Sequence, residues 1–239
     1  MSTSNVKVLF IHHSTGANLI KEGKLRKLLK KINPNIELFD HSYNIYPFLP
    51  RLLAKISYHT GLSDEKGRFT GTDYNIELSN NSPKEYAEIF SRKPEDPTLQ
   101  NILQYDVIAF KNCYPTTKIE SDAQLKEYQD YYGIIRDSLK KYPTKKFILF
   151  TPPSLREEGT NPENAAKAKQ LTQWLTSHEF LKDTPNIFIF DFFSLLADKK
   201  GILKKEYCRF IPIDSHPNAK ANREIAPIFV SFVSSVVEK

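Results

Sequence analysis

The stretch that most constrains this chain is its first apolar run and the turn after it, Val6-Lys7-Val8-Leu9-Phe10-Ile11-His12-His13-Ser14-Thr15-Gly16-Ala17-Asn18. Apart from Lys7, residues 6–11 are all apolar, with branched Val6, Val8 and Ile11 among them. A short, continuous run of this kind reads as a strand buried on both faces, as in a parallel sheet. It stops at small polar residues and a glycine, and a helical pattern sets in at about Leu19. A strand that turns sharply into a helix puts its turn at the carboxyl edge of the sheet, where open α/β folds bind ligands. Ser14 lies in that turn, beside helix-start N–H groups that stabilise negative charge.

The same alternation continues. Leu19, Leu25, Leu28, Leu29 and Ile32 predict one amphipathic helix ending before Asn33-Pro34. Residues 36–39 predict a second strand, followed by Asp40-His41-Ser42-Tyr43-Asn44. Residues 45–80 are irregular. Pro47 and Pro50 break the pattern, residues 51–58 fit a short helix, and Gly61, Gly67 and Gly71 punctuate a long loop with room for a small hairpin. Ser82-Pro83-Lys84-Glu85 is a capping box with Pro at the first helical position, and further helical turns follow Pro97. Residues 106–110 are a third buried strand. Ser121 and Gln124 open the clearest amphipathic helix, with Leu125, Tyr128, Tyr132, Ile135 and Leu139 on one face. Residues 146–151 predict strand four, residues 161–178 a helix, residues 187–190 strand five, and Pro217 the start of a final helix. Strands alternating with helices argue a five-stranded parallel sheet covered on both faces. One domain over residues 1–239 is the expected organisation, with an irregular insertion at about 45–80.

The net charge of +6 comes from lysines in short runs at helix ends and loops. These read as solvated faces, since no basic motif interleaved with aromatics accompanies them, and no nucleic-acid partner is expected. Cys113 and Cys208 are the only cysteines, too few for a metal cluster or a disulfide framework, though a single bridge stays open. No signal peptide or membrane span is visible, so a cytoplasmic location without a membrane partner is the expectation. The oligomeric state is not legible.

Pro212-Ile213-Asp214-Ser215-His216-Pro217-Asn218 is the second informative stretch. It places a carboxylate two residues before an imidazole, just ahead of the last helix. A serine hydroxyl is a poor nucleophile until a base takes its proton, and that base works best when a carboxylate orients it. Ser14 at one end of the chain and Asp214 with His216 at the other supply that set from loop–helix junctions on one sheet edge. Each residue also has a plainer use. Ser14 and His216 are natural helix-cap positions, and Asn112 is a turn former.

On these segments the chain resembles the SGNH/GDSL hydrolase superfamily, and within it a bacterial SGNH-like subgroup. The shared segments are Phe10-Ile11-His12-His13-Ser14-Thr15-Gly16, Asp40-His41-Ser42-Tyr43-Asn44, Phe110-Lys111-Asn112-Cys113-Tyr114-Pro115, Phe150-Thr151-Pro152-Pro153 and Asp214-Ser215-His216-Pro217-Asn218. The resemblance implies a flavodoxin-like three-layer α/β/α fold, an ester-hydrolysing Ser14–His216–Asp214 triad, and an oxyanion hole from the Ser14 N–H and Asn112. His13 and Lys111 would line the substrate pocket, Lys111 toward an anionic substrate. The substrate implied is a short-acyl ester, a small molecule or an O-acetylated carbohydrate, with no cofactor and no metal. The chain departs from the family at His12-His13-Ser14, which replaces Gly-Asp-Ser. It departs again at Lys111-Asn112-Cys113-Tyr114, which replaces Gly-x-Asn-Asp, and at Asp-x-His, which replaces Asp-x-x-His. The second-block glycine has Gly61, Gly67 and Gly71 as candidates. Cys113 reads as a packed thiol, and Asp40 and Tyr43 as cleft or loop residues.

Two other readings remain. His13-Ser14-Thr15-Gly16-Ala17-Asn18 resembles the flavodoxin phosphate loop, so a binder of a phosphorylated or flavin ligand is one alternative. A catalytically degenerate SGNH-fold binding protein is the other. The Asp214–His216 pair favours hydrolysis, because flavin binding gives no reason for it.

Overall fold

The computed structural model describes residues 5–45 and 60–239. The first strand is β1 (Val6–His12), and the chain then runs through α1 (Ser14–Lys21) and α2 (Leu25–Ile32) to β2 (Ile36–Ser42). The short strands β3 (Asn44–Ile45), β4 (Gly61–Ser63) and β5 (Glu77–Leu78) follow. Next come α3 (Lys84–Phe90), α4 (Pro97–Leu103), β6 (Val107–Phe110), α5 (Asp122–Leu139) and β7 (Lys146–Phe150). The chain closes with α6 (Pro162–Leu175), α7 (His178–Leu181), β8 (Ile187–Phe190), α8 (Phe192–Leu196) and α9 (Ala219–Glu238). No helix among the described residues is long and apolar enough to cross a membrane.

The main sheet runs β4-β2-β1-β6-β7-β8. Its five long strands are mutually parallel in the flavodoxin-like order, as the alternation predicts. From β1 the chain goes to β2 on one side and later to β6 on the other. The carboxyl ends of β1 and β6 therefore flank the switch point, where such sheets open a crevice.

Successive side chains of each strand point to opposite faces, and both faces are covered. Leu9, Ile11, Ile108, Phe110, Phe147 and Leu149 pack with Tyr128, Tyr132 and Ile135 of α5 and with residues of α3 and α6. Val8, Phe10, Val107, Ala109, Ile148 and Phe150 pack under Leu19, Leu25, Leu29 and the apolar face of α9. On that second side Phe10, Phe150, Phe190 and Phe229 form one aromatic cluster with centroids 4.7–5.7 Å apart.

Several expectations are corrected, among them the capping box at residues 82–85, since α3 begins at Lys84 with Pro83 at its N-cap. The sheet has six strands, because β4 adds antiparallel to β2. It belongs to a hairpin over residues 61–72, closed by Leu62 N–H on Thr72 O (2.8 Å) and Thr70 N–H on Leu62 O (2.9 Å). A three-residue strand carries too little periodicity to be read. Gly61, at φ +111°, is required there, since a Cβ would lie 2.6 Å from the Thr72 carbonyl oxygen.

The helix expected to begin at about Leu19 begins at Ser14 and is two helices. Gly23 sits in the break, where a Cβ would meet Ala226 and Asn222 of α9 at 2.7 Å, and Lys24 is left-handed at φ 56°. Helix α6 stops at Leu175 rather than His178, which starts α7 behind a Ser177 cap. The last helix is capped by Asn218, one residue after Pro217. The short helix expected over residues 51–58 lies outside the described residues.

Candidate active site

Ser14 is the first residue of α1, behind an extended His13 N-cap (φ −128°, ψ −150°). The N–H groups of the first helical turn have no acceptor within the helix, and they carry the positive end of its dipole. The helix can start this close to the strand because residue 16 is glycine. A Cβ at Gly16 would fall 2.3 Å from the His12 Cβ.

Ser14 Oγ lies 2.6 Å from His216 Nε2, and His216 Nδ1 lies 2.5 Å from Asp214 Oδ1. The backbone N–H of His216 donates to the same carboxylate oxygen at 2.9 Å. A carboxylate only accepts, so the neutral imidazole carries its proton on Nδ1 and turns the Nε2 lone pair to the serine hydroxyl. Burial pushes the His216 imidazole below the ordinary histidine range, and the Asp214 contact only partly restores it, so the ring is neutral at pH 7. Burial alone would raise the Asp214 carboxyl. The His216 N–H and imidazole, with Arg209, outweigh it and hold the carboxyl below its usual range. The ring of Tyr114 meets the His216 imidazole edge-on, with centroids 4.9 Å apart at 85°.

The loop that carries Asp214 and His216 is tied to the helix that carries Ser14. Arg209 donates to both carboxylate oxygens of Glu22 (2.9 and 3.0 Å), just past the end of α1, and to the Pro217 carbonyl (3.0 Å). Asn222 of α9 reaches the same Glu22 at 2.6 Å. Asn218 caps α9 through the Ala221 N–H and donates to the Glu206 and Cys208 carbonyls. Thus two segments some 200 residues apart in sequence are cross-linked beside the hydroxyl–imidazole contact. Arg209 and Glu22 stand outside every segment that carries the resemblance, and Tyr114 lies within one with no role assigned to it. Tyr114 had a local signal, as the second residue after Asn112 at a strand end.

The other expected site residues fall out differently. His13 is buried against the Tyr43 ring (centroids 5.4 Å), and burial, followed by His12, Lys111 and His216, pushes its imidazole down to about 3. His12 turns into the body of the protein, with Nδ1 2.9 Å from the His13 carbonyl and Nε2 3.0 Å from Asp40 Oδ2. Arg26 holds the other Asp40 oxygen. Lys111, expected to meet an anionic substrate, is instead 0% exposed, and its ammonium donates to Thr15 Oγ1 beneath the first turn of α1. Burial pushes that ammonium down to about 8.

Asn112 is 1% exposed. Its amide donates to the Ser82 carbonyl at 2.9 Å, and its oxygen accepts from the Tyr132 hydroxyl at 3.2 Å, so its contacts run toward α3 and α5. Cys113 and Cys208 are both free thiols. Cys113 Sγ packs 3.8 Å from Ser14 Oγ and 3.6 Å from Thr15 Oγ1. Gly61 and Gly67 are used in the hairpin described above.

No protein-family model and no curated protein matches the sequence. Solved structures do match. One is a protein of Desulfitobacterium hafniense DCB-2 assigned to the G-D-S-L lipolytic family, with TM-score 0.52 and 14% identity over 97% of this chain and 99% of that one. A carbohydrate acetylesterase of Sinorhizobium meliloti gives 0.52 and 12% over 97% and 100%. A carbohydrate esterase family 3 protein of Talaromyces cellulolyticus gives 0.51 and 13% over 98% and 99%. At these identities the likeness is one of fold: this chain has the α/β architecture on which those esterases are built.

Proposed function

We propose that this chain is a serine ester hydrolase of the SGNH type, a single such domain with its insertion at about 45–80. The observation that carries the reading is the continuous contact from Ser14 Oγ through His216 to Asp214. In the proposed reaction Ser14 Oγ attacks the ester carbonyl carbon while its proton passes to His216 Nε2, and Asp214 holds the imidazolium. The Ser14 backbone N–H stabilises the tetrahedral oxyanion, joined by the second amide proton of Asn112, the first being held by Ser82. Collapse expels the alcohol, which takes the proton from His216. Water, deprotonated by His216, then attacks the acyl-enzyme, and the acid leaves as Ser14 recovers its proton. The substrate proposed is a short-acyl ester, with an O-acetyl group on a carbohydrate as the first candidate. The carbohydrate esterases that share the fold support that choice.

The test is covalent labelling. The protein is incubated with a fluorophosphonate, weighed by intact mass spectrometry and the adduct mapped, with Ser14→Ala and His216→Ala alongside. An adduct on Ser14 that slows sharply without His216 is expected, and acetylated sugars are then screened for hydrolysis. A folded protein that takes no label overturns the reading.

A further inference from the structure

Residues 210–213 lead straight into Asp214, and packing does not hold them. Phe210 is 101% exposed, Ile213 86% and Ile211 57%, so these side chains bury little apolar surface that could fix the backbone. Among the described residues, the four make hydrogen bonds at one atom, the Ile211 carbonyl oxygen. It accepts from the Asp214 N–H at 3.1 Å and from the Arg156 guanidinium Nη1 at 2.5 Å.

Arg156 stands on the segment that leaves β7. Its Nη1 also donates to the Arg209 carbonyl (3.2 Å), and its backbone N–H donates to Ser215 Oγ (3.3 Å). One residue thus grips the loop on both sides of Asp214. The guanidinium is itself fixed. Its Nε and Nη2 donate to the two carboxylate oxygens of Glu158 (2.6 and 3.0 Å), and the side chain is only 10% exposed. A planar fork can hold a carboxylate on one edge and two carbonyls on another, which the point charge of a lysine cannot. The segment under Arg156 is anchored too. The Leu203 N–H donates to the Leu155 carbonyl (2.8 Å), and Thr117 Oγ1, in the short turn that carries Tyr114, lies 2.9 Å from the Pro153 carbonyl.

We infer that Arg156 is a positioning residue for the acid–base pair. It orients the Ile211 carbonyl, that carbonyl fixes the Asp214 backbone, and Asp214 turns His216 Nε2 to Ser14. Arg209 ties the loop to α1, and Arg156 ties it to the β7 side. The effect on rate rests on the esterase reading above; the placing of Asp214 does not. A misplacement of about 1 Å at a reacting group can cost about a hundredfold in rate, and this loop has no packing of its own to prevent one.

The test releases the loop and then refills the gap. Arg156→Ala is expected to lower kcat for 4-nitrophenyl acetate about a hundredfold, with KM within about twofold of wild type, and to slow fluorophosphonate labelling of Ser14 in step. Arg156→Lys keeps the charge without the fork and is expected to lose at least about fivefold. A cavity of about 340 Å³ beside the guanidinium is lined by Arg156, Glu158, Lys205 and Cys208, so added methylguanidinium is expected to restore part of the rate of Arg156→Ala and to leave wild type unchanged. Ring nitrogen shifts of ¹⁵N-labelled protein read the geometry without substrate: His216 is expected to hold its proton on Nδ1 in wild type and to mix tautomers in Arg156→Ala. A variant that labels and turns over like wild type overturns the inference. So does a slow variant that methylguanidinium leaves slow, or whose His216 tautomer matches wild type. Should Arg156→Ala fail to fold, the rates and tautomer of Arg156→Lys decide. Wild type that takes no label sinks the esterase reading, and the tautomer comparison then decides this one alone.

Discussion

Two of the histidine–carboxylate pairs near the carboxyl edge of the sheet, His12–Asp40 and His216–Asp214, differ in what the second ring nitrogen meets. In the His12–Asp40 pair, Nε2 faces the carboxylate and Nδ1 the backbone carbonyl of His13, while Arg26 takes the remaining carboxylate oxygen. Its side chains are 3% and 12% exposed. In the His216–Asp214 pair, Nδ1 faces the carboxylate and Nε2 faces a serine hydroxyl, and the side chains are 22% and 23% exposed. The residue types are the same. One pair is closed by protein acceptors at both nitrogens and braces β1 against β2. The other keeps a basic nitrogen against a potential nucleophile. Chemistry follows the partner of the second nitrogen and its access, not the presence of a histidine and an aspartate.

The comparison breaks most sharply if Ser14→Ala and His216→Ala are harmless. Each is expected to lower kcat/KM for a soluble acetyl ester by at least about a thousandfold, with the urea midpoint unchanged. Asp214→Asn is expected to cost on the order of a hundredfold to ten-thousandfold, because the amide favours the wrong tautomer while the loop stays in place. Asp40→Ala should do the reverse. It strips the partner from buried His12 and from Arg26, so urea unfolding should show a loss of about 3–5 kcal/mol, with the rate per folded molecule within about tenfold of wild type.

Two smaller effects read the electrostatics directly. His216 must be neutral to act and its folded value lies below the ordinary 6.5, so the acid limb of kcat/KM should fall below that pH. The Asp214 contact raises that value, so the residual activity of Asp214→Asn should show its limb at still lower pH. Lys111 has its folded value depressed from 10.5 to about 8. Between those two pH values the unfolded chain binds the extra proton, so stability should rise with pH there, at a slope of up to about 1.4 kcal/mol per pH unit. Lys111→Met should flatten that segment of the stability profile in pH-resolved denaturation.

The parallel sheet was legible because β1, β6 and β7 are continuous apolar runs, and only a sheet covered on both faces buries every residue of such a run. Ser14, Asp214 and His216 were legible because each stands at a strand–helix or loop–helix junction, which the chain order of elements assigns to one edge. The burial of Lys111 was not legible, for a physical reason. A lysine after a strand is normally solvated, and nothing local indicates that Thr15, nearly a hundred positions away, will accept from its ammonium. The break between α1 and α2 was hidden in part for the same kind of reason, since a Cβ at Gly23 would meet Ala226 and Asn222 of α9 as well as the Leu19 carbonyl of α1.

Local chemistry thus determined the order of elements, the sheet that buries them and the edge on which a hydroxyl, an imidazole and a carboxylate would gather. These follow from periodicity, turn residues and the handedness of crossovers, all properties of short stretches. Packing between distant segments decided the rest. It closed His12 and opened His216, drove the Lys111 ammonium under α1, tied the Asp214 loop to Glu22 through Arg209, and left Phe210 and Ile213 outside. Burial and the second partner of a polar group depend on where far-off segments come to rest, and only the folded chain specifies that.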